Sequence, residues 1–488
     1  MPLTPEAILK DFMNRDLERP IAIELLLTLI DNAENLKTRI ESLNTLNQIP
    51  IEDDKTFKFL EHLMISDSNE EVRNLTCQVI KNHYLSKALD LMVWALEHEE
   101  SLKCIKTIIT SIGVIDTKES RSVLINKLKD SHLDKNLIEN IQNFPNTDLA
   151  EMLINNYIIS SLKTIYGYFK YKINNFGSIT ELDLSNIERY SSNSNKLENF
   201  LESIFSLKDL KKCDLRFNHL TQIPATFKSS IEYLDLSYNK LARIPDLQNF
   251  KSLTTLNLKS NRIRNLPESI GSLESLKYLN LRNNLLIDVP SSVIFLSSLK
   301  TLDLHGNKLS SISVNLSNSI TELELGWNSL QSVSPSLRLL KYLKKLGLGG
   351  NKLVHLPEWI GSFSSLKELD LYDNKLSEVP ASIGALKSLE KLNLRNNELK
   401  ILPSSVSNLN FLRVLNLSWN NFRSLPEWIG SLSSLEELNL WGNRLEILPD
   451  SFSSLTSLRI LDLNFNQIKK LPPSLQQLER KIDLNIKL

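Results

Sequence analysis

The chain has 488 residues, with 57 Lys and Arg balanced by 57 Asp and Glu. A composition 41% hydrophobic and 23% charged is that of an ordinary folded protein, which excludes disordered and fibrous classes. Zero net charge removes the electrostatic footprint of a dedicated nucleic-acid binder, and thirteen glycines are few for an enzyme assembled from phosphate-cradling loops. The opening segment has acidic residues where a secretory leader needs a positive head and an apolar stretch. The longest apolar run, around Ile21–Ile30, is interrupted by Glu24 and falls far short of the ~20 residues that cross a bilayer. Cys77, Cys104 and Cys213 lie far apart with no metal-ligand spacing. These features predict a cytoplasmic protein without membrane insertion.

Over the first 175 residues apolar side chains recur at steps of three and four, as on amphipathic helices. The spacing predicts helix pairs over 21–31 with 35–48, 54–66 with 69–83, 86–98 with 100–113, and 117–129 with 133–142. A final pair is expected within 146–172. The segment Ser66–Arg73 is a polar turn followed by acidic residues, which suits the start of a helix. Val72 and Arg73, followed by Leu75, Val79 and Ile80, resemble the second helix of a HEAT-type repeat, which implies an all-α solenoid over 1–175.

From about Ile179 a different period takes over: L-x-x-L-x-L-x-x-N-x-L, usually followed by x-x-L-P-x-x-I. Its asparagines fall at 218, 239, 261, 284, 307, 328, 351, 374, 397, 420, 443 and 466, mostly 23 residues apart. This is the signature of leucine-rich repeats. L-x-x-L-x-L predicts a short strand with alternate side chains inward, and successive coils stack their strands into a parallel sheet lining a concave face. One coil cannot bury its own leucines, so neighbours on both sides complete the core. Each asparagine carries donors and an acceptor for backbone groups exposed inside the turn. The proline of each Leu-Pro favours an extended or 3-10 convex side. The expected architecture is thus two solenoids, helical repeats over 1–175 and a horseshoe of about 13 coils over 178–488, with the boundary between Tyr171 and Ser178.

Both ends of the array are degenerate, as solvent-facing caps require. The first coil has Ile187 where asparagine is expected, and the polar stretch 191–196 reads as a looped-out insertion. The last strand, near Leu484 and Ile486, follows the charged residues 479–481. Residues 1–177 hold 20 basic and 26 acidic side chains, leaving 37 and 31 to the repeats. The sharper reading of this split is a weak mutual attraction of the arrays, or partners of opposite sign; the plainer one is two solvated faces.

No catalytic constellation stands out. The seven histidines are scattered, and no nucleotide-binding, hydrolase or kinase motif occurs. The stretch Leu346–Asn351 has the glycines of a phosphate loop but the register of a repeat strand. Asp214, Asp235, Asp303, Glu324, Asp370 and Asp462 share one strand position with asparagines 257, 280, 393, 416 and 439, which reads as a solubilising row rather than a metal or acid–base site. No catalytic, metal or cofactor site is expected.

The variable positions of the concave strands carry the aromatic and arginine residues that dominate binding hot spots. They are Arg216, Phe217, Tyr233, Tyr238, Tyr278 and Arg282 in early coils, then Trp327, Tyr372, Arg395, Trp419, Trp441 and Phe465. Some of these rings could instead pack along the loop edge, since the position before the asparagine is only partly open. Trp359 and Trp428 fall on the convex return and read as structural. Gly326, Gly347, Gly349 and Gly350 remove side chains beside Trp327. Glycine weakens a strand, so four at positions expected to be exposed read either as drift in a surface row or, around Gly349, as a place where a partner approaches the sheet closely.

The consensus I-G-x-L-x-S-L-x-x-L-x-L-x-x-N-x-L-x-x-L-P, clearest over Ile270–Pro290 and Ile360–Pro472, resembles intracellular leucine-rich-repeat proteins of the Ras-group type. These include Ras-signalling scaffolds, plant Ras-group-related proteins, Scribble- and Erbin-like proteins and Roco repeats. The resemblance covers about 300 residues. It implies a non-enzymatic scaffold or adaptor in signal transduction, with a protein partner such as a small GTPase or phosphatase. The alternative is a regulatory subunit of a GTPase, phosphatase or ligase supplied by another chain. No GTPase, PDZ, kinase or phosphatase module accompanies the repeats, and no family binding residue carries over.

Overall fold

The computed structural model describes residues 4–130, 141–190, 197–224, 230–476 and 484–487. The chain divides into two compact units, Met1–Glu181 with Leu207–Asp209, and Leu182–Ser206 with Leu210–Leu488.

The first unit begins with antiparallel helical pairs: Arg19–Asn32 on Leu36–Leu46, Asp54–Ser66 on Glu70–His83, and Leu89–His98 on Leu102–Val114. Local chemistry sets their starts. The Asp53 carboxylate accepts from the Thr56 amide at 2.7 Å, and the Asn69 side chain accepts from Glu71 and Val72. Thr117 and Ser120 close a reciprocal capping box at the head of Lys118–Lys129. Arg73 grips Glu99 of the next pair through two bonds of 2.8 Å and also donates to the Asp67 carbonyl. A helix over Pro5–Met13 precedes these pairs and was not foreseen. Most of the helix expected over 133–142 lies outside the described residues.

The final helical pair expected within 146–172 is instead one 21-residue helix, Asn146–Tyr166, followed by a strand, Lys170–Ile173. Its apolar residues, among them Leu149, Met152, Leu153, Ile158, Ile159 and Leu162, are buried at helical spacing without interruption. Gly167, at a φ of 73°, ends it. Buried Asn155, in its middle, accepts from the backbone N–H of Ile179 at 2.9 Å, satisfying a donor at the start of the next strand.

In the second unit each coil from Lys212–Asp214 onward contributes a three-residue strand, and these pair in parallel and in chain order up to Asn485–Lys487. Register is fixed by the central leucines: Leu346, Leu369, Leu392, Leu415, Leu438 and Leu461 lie side by side and are buried. The convex side is made of 3-10 turns that follow the prolines, such as Glu358–Ser362 after Pro357 and Ala381–Ala385 after Pro380. The polar insertion at 191–196 and the charged residues 479–481 lie outside the described residues.

The asparagine row binds coil to coil. Asn374 donates to the carbonyls of Leu371 in its own coil and Leu348 in the preceding one, at 3.0 and 3.1 Å. Its oxygen accepts from the Leu353 amide at 3.0 Å. The same three-point bridge repeats at both ends of the row, Asn218 and Asn466.

The I-G pair of the consensus has an equally local cause. A Cβ on Gly271 would lie 2.6 Å from the carbonyl oxygen of Ser292, and one on Gly384 would lie 2.7 Å from the Cβ of Ser405. Successive convex turns therefore touch backbone to backbone. Gly384→Ala is expected to cost about 1–3 kcal/mol by forcing two coils apart. A urea unfolding midpoint equal to that of the unchanged protein would show that this seam has slack.

Candidate binding surface

The row of Asp and Asn at the third strand position is a row of turns. Each side-chain oxygen accepts from the backbone N–H two residues on, from Asp214 to Asp462, as in Asp235 to Ser237 at 2.9 Å and Asn416 to Ser418 at 3.0 Å. An acceptor oxygen is all this requires, which is why Asp and Asn interchange. Among the described residues no three His, Cys, Asp or Glu side chains gather as a metal-binding group.

That row breaks at Glu324 and Gly347, and there the strand face opens into a recess of about 370 Å³. Tyr278, Arg282 and His305 stand on one side, Tyr372 and Asp370 on the other, with Lys345 paired to Glu324 at 3.0 Å between them. Burial raises the carboxyl groups of Asp303 and Asp370 above their ordinary value. The hydrogen bond to Glu324 raises Lys345, while burial and then Arg282 lower His305. The recess is therefore polar and desolvated, with both signs of charge on its walls.

Gly347 and Gly349 are buried, contrary to the expectation of an open glycine floor. A Cβ on Gly349 would run into the ring of Tyr372, and one on Gly347 into the Glu324 carboxylate. Gly349 is thus the seat of Tyr372, not itself a contact surface. From that seat Tyr372 reaches back over one coil, and its hydroxyl accepts from the indole N–H of Trp327. The two rings meet edge to face at 6.4 Å. Gly350 belongs to a turn, with a φ of 67°, and Trp327 leans over it.

The expected binding residues fall into three rows rather than one groove. Arg216, Arg282, Tyr372, Arg395 and Trp441 occupy the position two residues after the Asp/Asn row, and Tyr233 and Tyr278 begin their strands. Phe217, Tyr238, Trp327, Trp419 and Phe465 lie in the turn that leaves the strand, one residue before the asparagine. Every residue in that turn position, from Phe217 to Phe465, has a φ between 50° and 69°. A left-handed conformation costs a side-chain-bearing residue roughly 1–2 kcal/mol and suits glycine or asparagine. Five aromatic residues occupy it nonetheless, and all five are exposed.

Three groups of these residues come together. Phe217 stacks on Tyr238 with centroids 4.2 Å apart. Trp327 and Tyr372 bridge beside the recess that Tyr278 and Arg282 help to line. Trp419, Trp441 and Phe465 form an edge-to-face series at 4.9 and 5.7 Å. Arg216 is turned onto Asp214 at 3.1 Å, Tyr233 onto Asp235, and Arg395 is exposed apart from the recess. His305, Lys345 and Glu322 also line the recess and were not singled out; their places in the rows of Arg282 and Tyr278 were the available signal. Trp359 packs edge to face on Phe363 on the convex side.

Comparison with known families matches residues 328–483 to a leucine-rich repeat region and 208–263, 229–286 and 251–309 to the leucine rich repeat. The chain is a leucine-rich-repeat protein, and domains of this class generally serve as protein-interaction modules. Comparison with curated proteins gave no match. Among solved structures, it is similar to the leucine-rich-repeat protein LIC12759 of Leptospira interrogans, with 29% identity over 68% of this chain and 98% of that one, and a TM-score of 0.47. The functional domain of InlJ from Listeria monocytogenes is 24% identical over 63% of this chain and 62% of its own, with a TM-score of 0.51, and supports the fold. The plant peptide hormone receptor RGFR1, solved in complex with RGF2, is 25% identical over 65% of this chain and 59% of its own, with a TM-score of 0.41. The chain thus spans less than two thirds of InlJ and RGFR1. Among the described residues no helix is long and apolar enough to cross a membrane.

Proposed function

We propose that this protein is a non-enzymatic scaffold or adaptor that takes up a protein partner on the concave face of its repeats. The observation that carries the reading is the recess where the Asp/Asn row lapses, flanked by Tyr278, Arg282, Tyr372 and the exposed indole of Trp327. Tyrosine, tryptophan and arginine around a desolvated hollow are the composition of an interface hot spot. The helical unit is a second, HEAT-like interaction solenoid, a reading supported by its paired helices and the Arg73–Glu99 link between pairs. A cytoplasmic setting suits its three buried, unpaired cysteines. Small GTPases and phosphatases, the partners implied by the sequence resemblance, are the first to test.

A photoreactive phenylalanine analogue placed at Tyr278 is expected to crosslink a partner from the native host lysate, while the same analogue at convex Trp359 does not. Equal capture from both faces, or capture from Trp359 alone, would move the site off the concave floor.

A further inference from the structure

We infer that the turn edge of the early coils, around Phe217 and Tyr238, is a docking site for a short acidic segment of a partner protein. This surface is separate from the recess, and the inference does not depend on the recess being occupied. Its centre is the Phe217–Tyr238 stack, with planes 11° apart and the two residues 48% and 39% exposed. Both hold left-handed backbone, at φ 57° and 56°, so two bulky rings are kept on the surface in a conformation that disfavours them.

The charge around the stack is one-sided. The hollow beside it, about 520 Å³, is lined by Lys240, Arg262 and His219 and by no Asp or Glu. Lys240 and Arg262 are exposed, and the Lys259 ammonium lies 5.2 Å from the Tyr238 ring centre. None of these three cations has a carboxylate partner among the described residues. Pairing from coil to coil occurs instead near the strand starts, as in Lys367 with Glu390, Lys391 with Glu368, and Arg413 with Glu436. What sets the early edge apart is that its turn cations flank an exposed aromatic stack and a hollow with no acidic lining residue. The Lys259 hydrogen bond, with Arg282 nearby, also holds the Tyr238 hydroxyl below its ordinary pKa.

Ring geometry at Tyr238 suits a peptide better than a stacked base. Phe217 covers Tyr238 from the preceding coil, and Lys259 approaches it from the following one. No open face of Tyr238 is left on which a base could stack, as single-strand binders require. The exposed ring edges carry partial positive charge and attract carboxylate oxygens. Phe217, Tyr238 and Arg262 belong to three successive coils, a span of roughly 10 Å at the ~4.8 Å spacing of strands. That matches three or four residues of extended chain at about 3.3 Å each. The fitting ligand is an extended run of Asp or Glu with an apolar side chain to lie against Phe217.

The test is fluorescence anisotropy of the full chain with a labelled Glu-Glu-Phe-Glu-Glu peptide, its all-lysine counterpart and a single-stranded oligonucleotide of equal charge. The acidic peptide is expected to bind, to weaken as salt is raised, and to lose at least about tenfold in affinity on Lys240→Glu with Arg262→Glu, since each tenfold is only about 1.4 kcal/mol. Lys352→Glu with Lys375→Glu makes the same charge change at the equivalent turn position of later coils, without the stacked pair, and is expected to leave affinity within about twofold. Equal loss in both double variants would reduce the effect to bulk electrostatics and overturn the inference. So would tighter binding of the oligonucleotide, absence of peptide binding at millimolar concentration, or a self-association of the unchanged chain, seen by sedimentation, that the Lys240 and Arg262 reversals abolish without any peptide binding.

Discussion

Asn374→Ala is expected to lower the stability of the repeat array by about 1–3 kcal/mol, the cost of a buried polar group left unpaired. Alanine would orphan the Leu353 amide inside the coil-to-coil seam, while the Leu348 and Leu371 carbonyls lose one donor each and keep a second, from Asn351 and Asn397. No water can reach these groups without parting the coils, because Asn374 is only 8% exposed. The damage falls on two neighbouring coils at once, and in a quasi-one-dimensional core such a loss spreads through nearest-neighbour coupling. Differential scanning calorimetry measures it directly. A melting temperature equal to that of the unchanged protein would mean that the asparagine row is dispensable to the ladder.

Gly349→Arg is expected to leave the fold standing and to weaken binding at the concave face by roughly 2 kcal/mol or more, the scale of a hot-spot loss. The mechanism is displacement. A side chain at 349 cannot coexist with the Tyr372 ring, so Tyr372 must swing off its seat and give up its bond to the Trp327 indole. The arginine then lies across the recess lined by Arg282 and Asp370. Tyr372→Ala separates the two consequences, since it removes the ring and leaves the recess empty. Titration of the partner captured at Tyr278 is the measurement. Normal affinity of Gly349→Arg for that partner would place the contact elsewhere on the face.

Much of this architecture could be read from the residues because its determinants are local and periodic. Twelve asparagines in register, a leucine ladder with alternation of two, and prolines opening the return each act within one coil, and repetition makes the pattern unmistakable. The helical rhythm of the first unit was legible for the same reason, down to the acidic first turn at Glu70 and Glu71. It failed at 146–172, where an uninterrupted apolar face allows one long helix as readily as two short ones, and Gly167 ends it late.

The candidate site was legible only as a list of residue types. Sequence by itself determined that aromatic and arginine side chains recur at variable positions of the strands and turns, and that glycines cluster beside Trp327. Tertiary structure decided which of them share a surface. The residue before each asparagine must turn left-handed to bring the amide onto two coils, and this moves Phe217, Tyr238, Trp327, Trp419 and Phe465 off the strands and onto the turn edge. Glu324, Gly347 and Gly349 form a recess with Tyr372 because they lie on adjacent coils about 23 residues apart, where neighbours in space are strangers in sequence. Pairing between coils likewise decided which charges are satisfied. Lys367 and Lys391 meet glutamates one coil away, whereas Lys240 and Arg262 meet none among the described residues, a difference that depends on which residue the next coil places alongside.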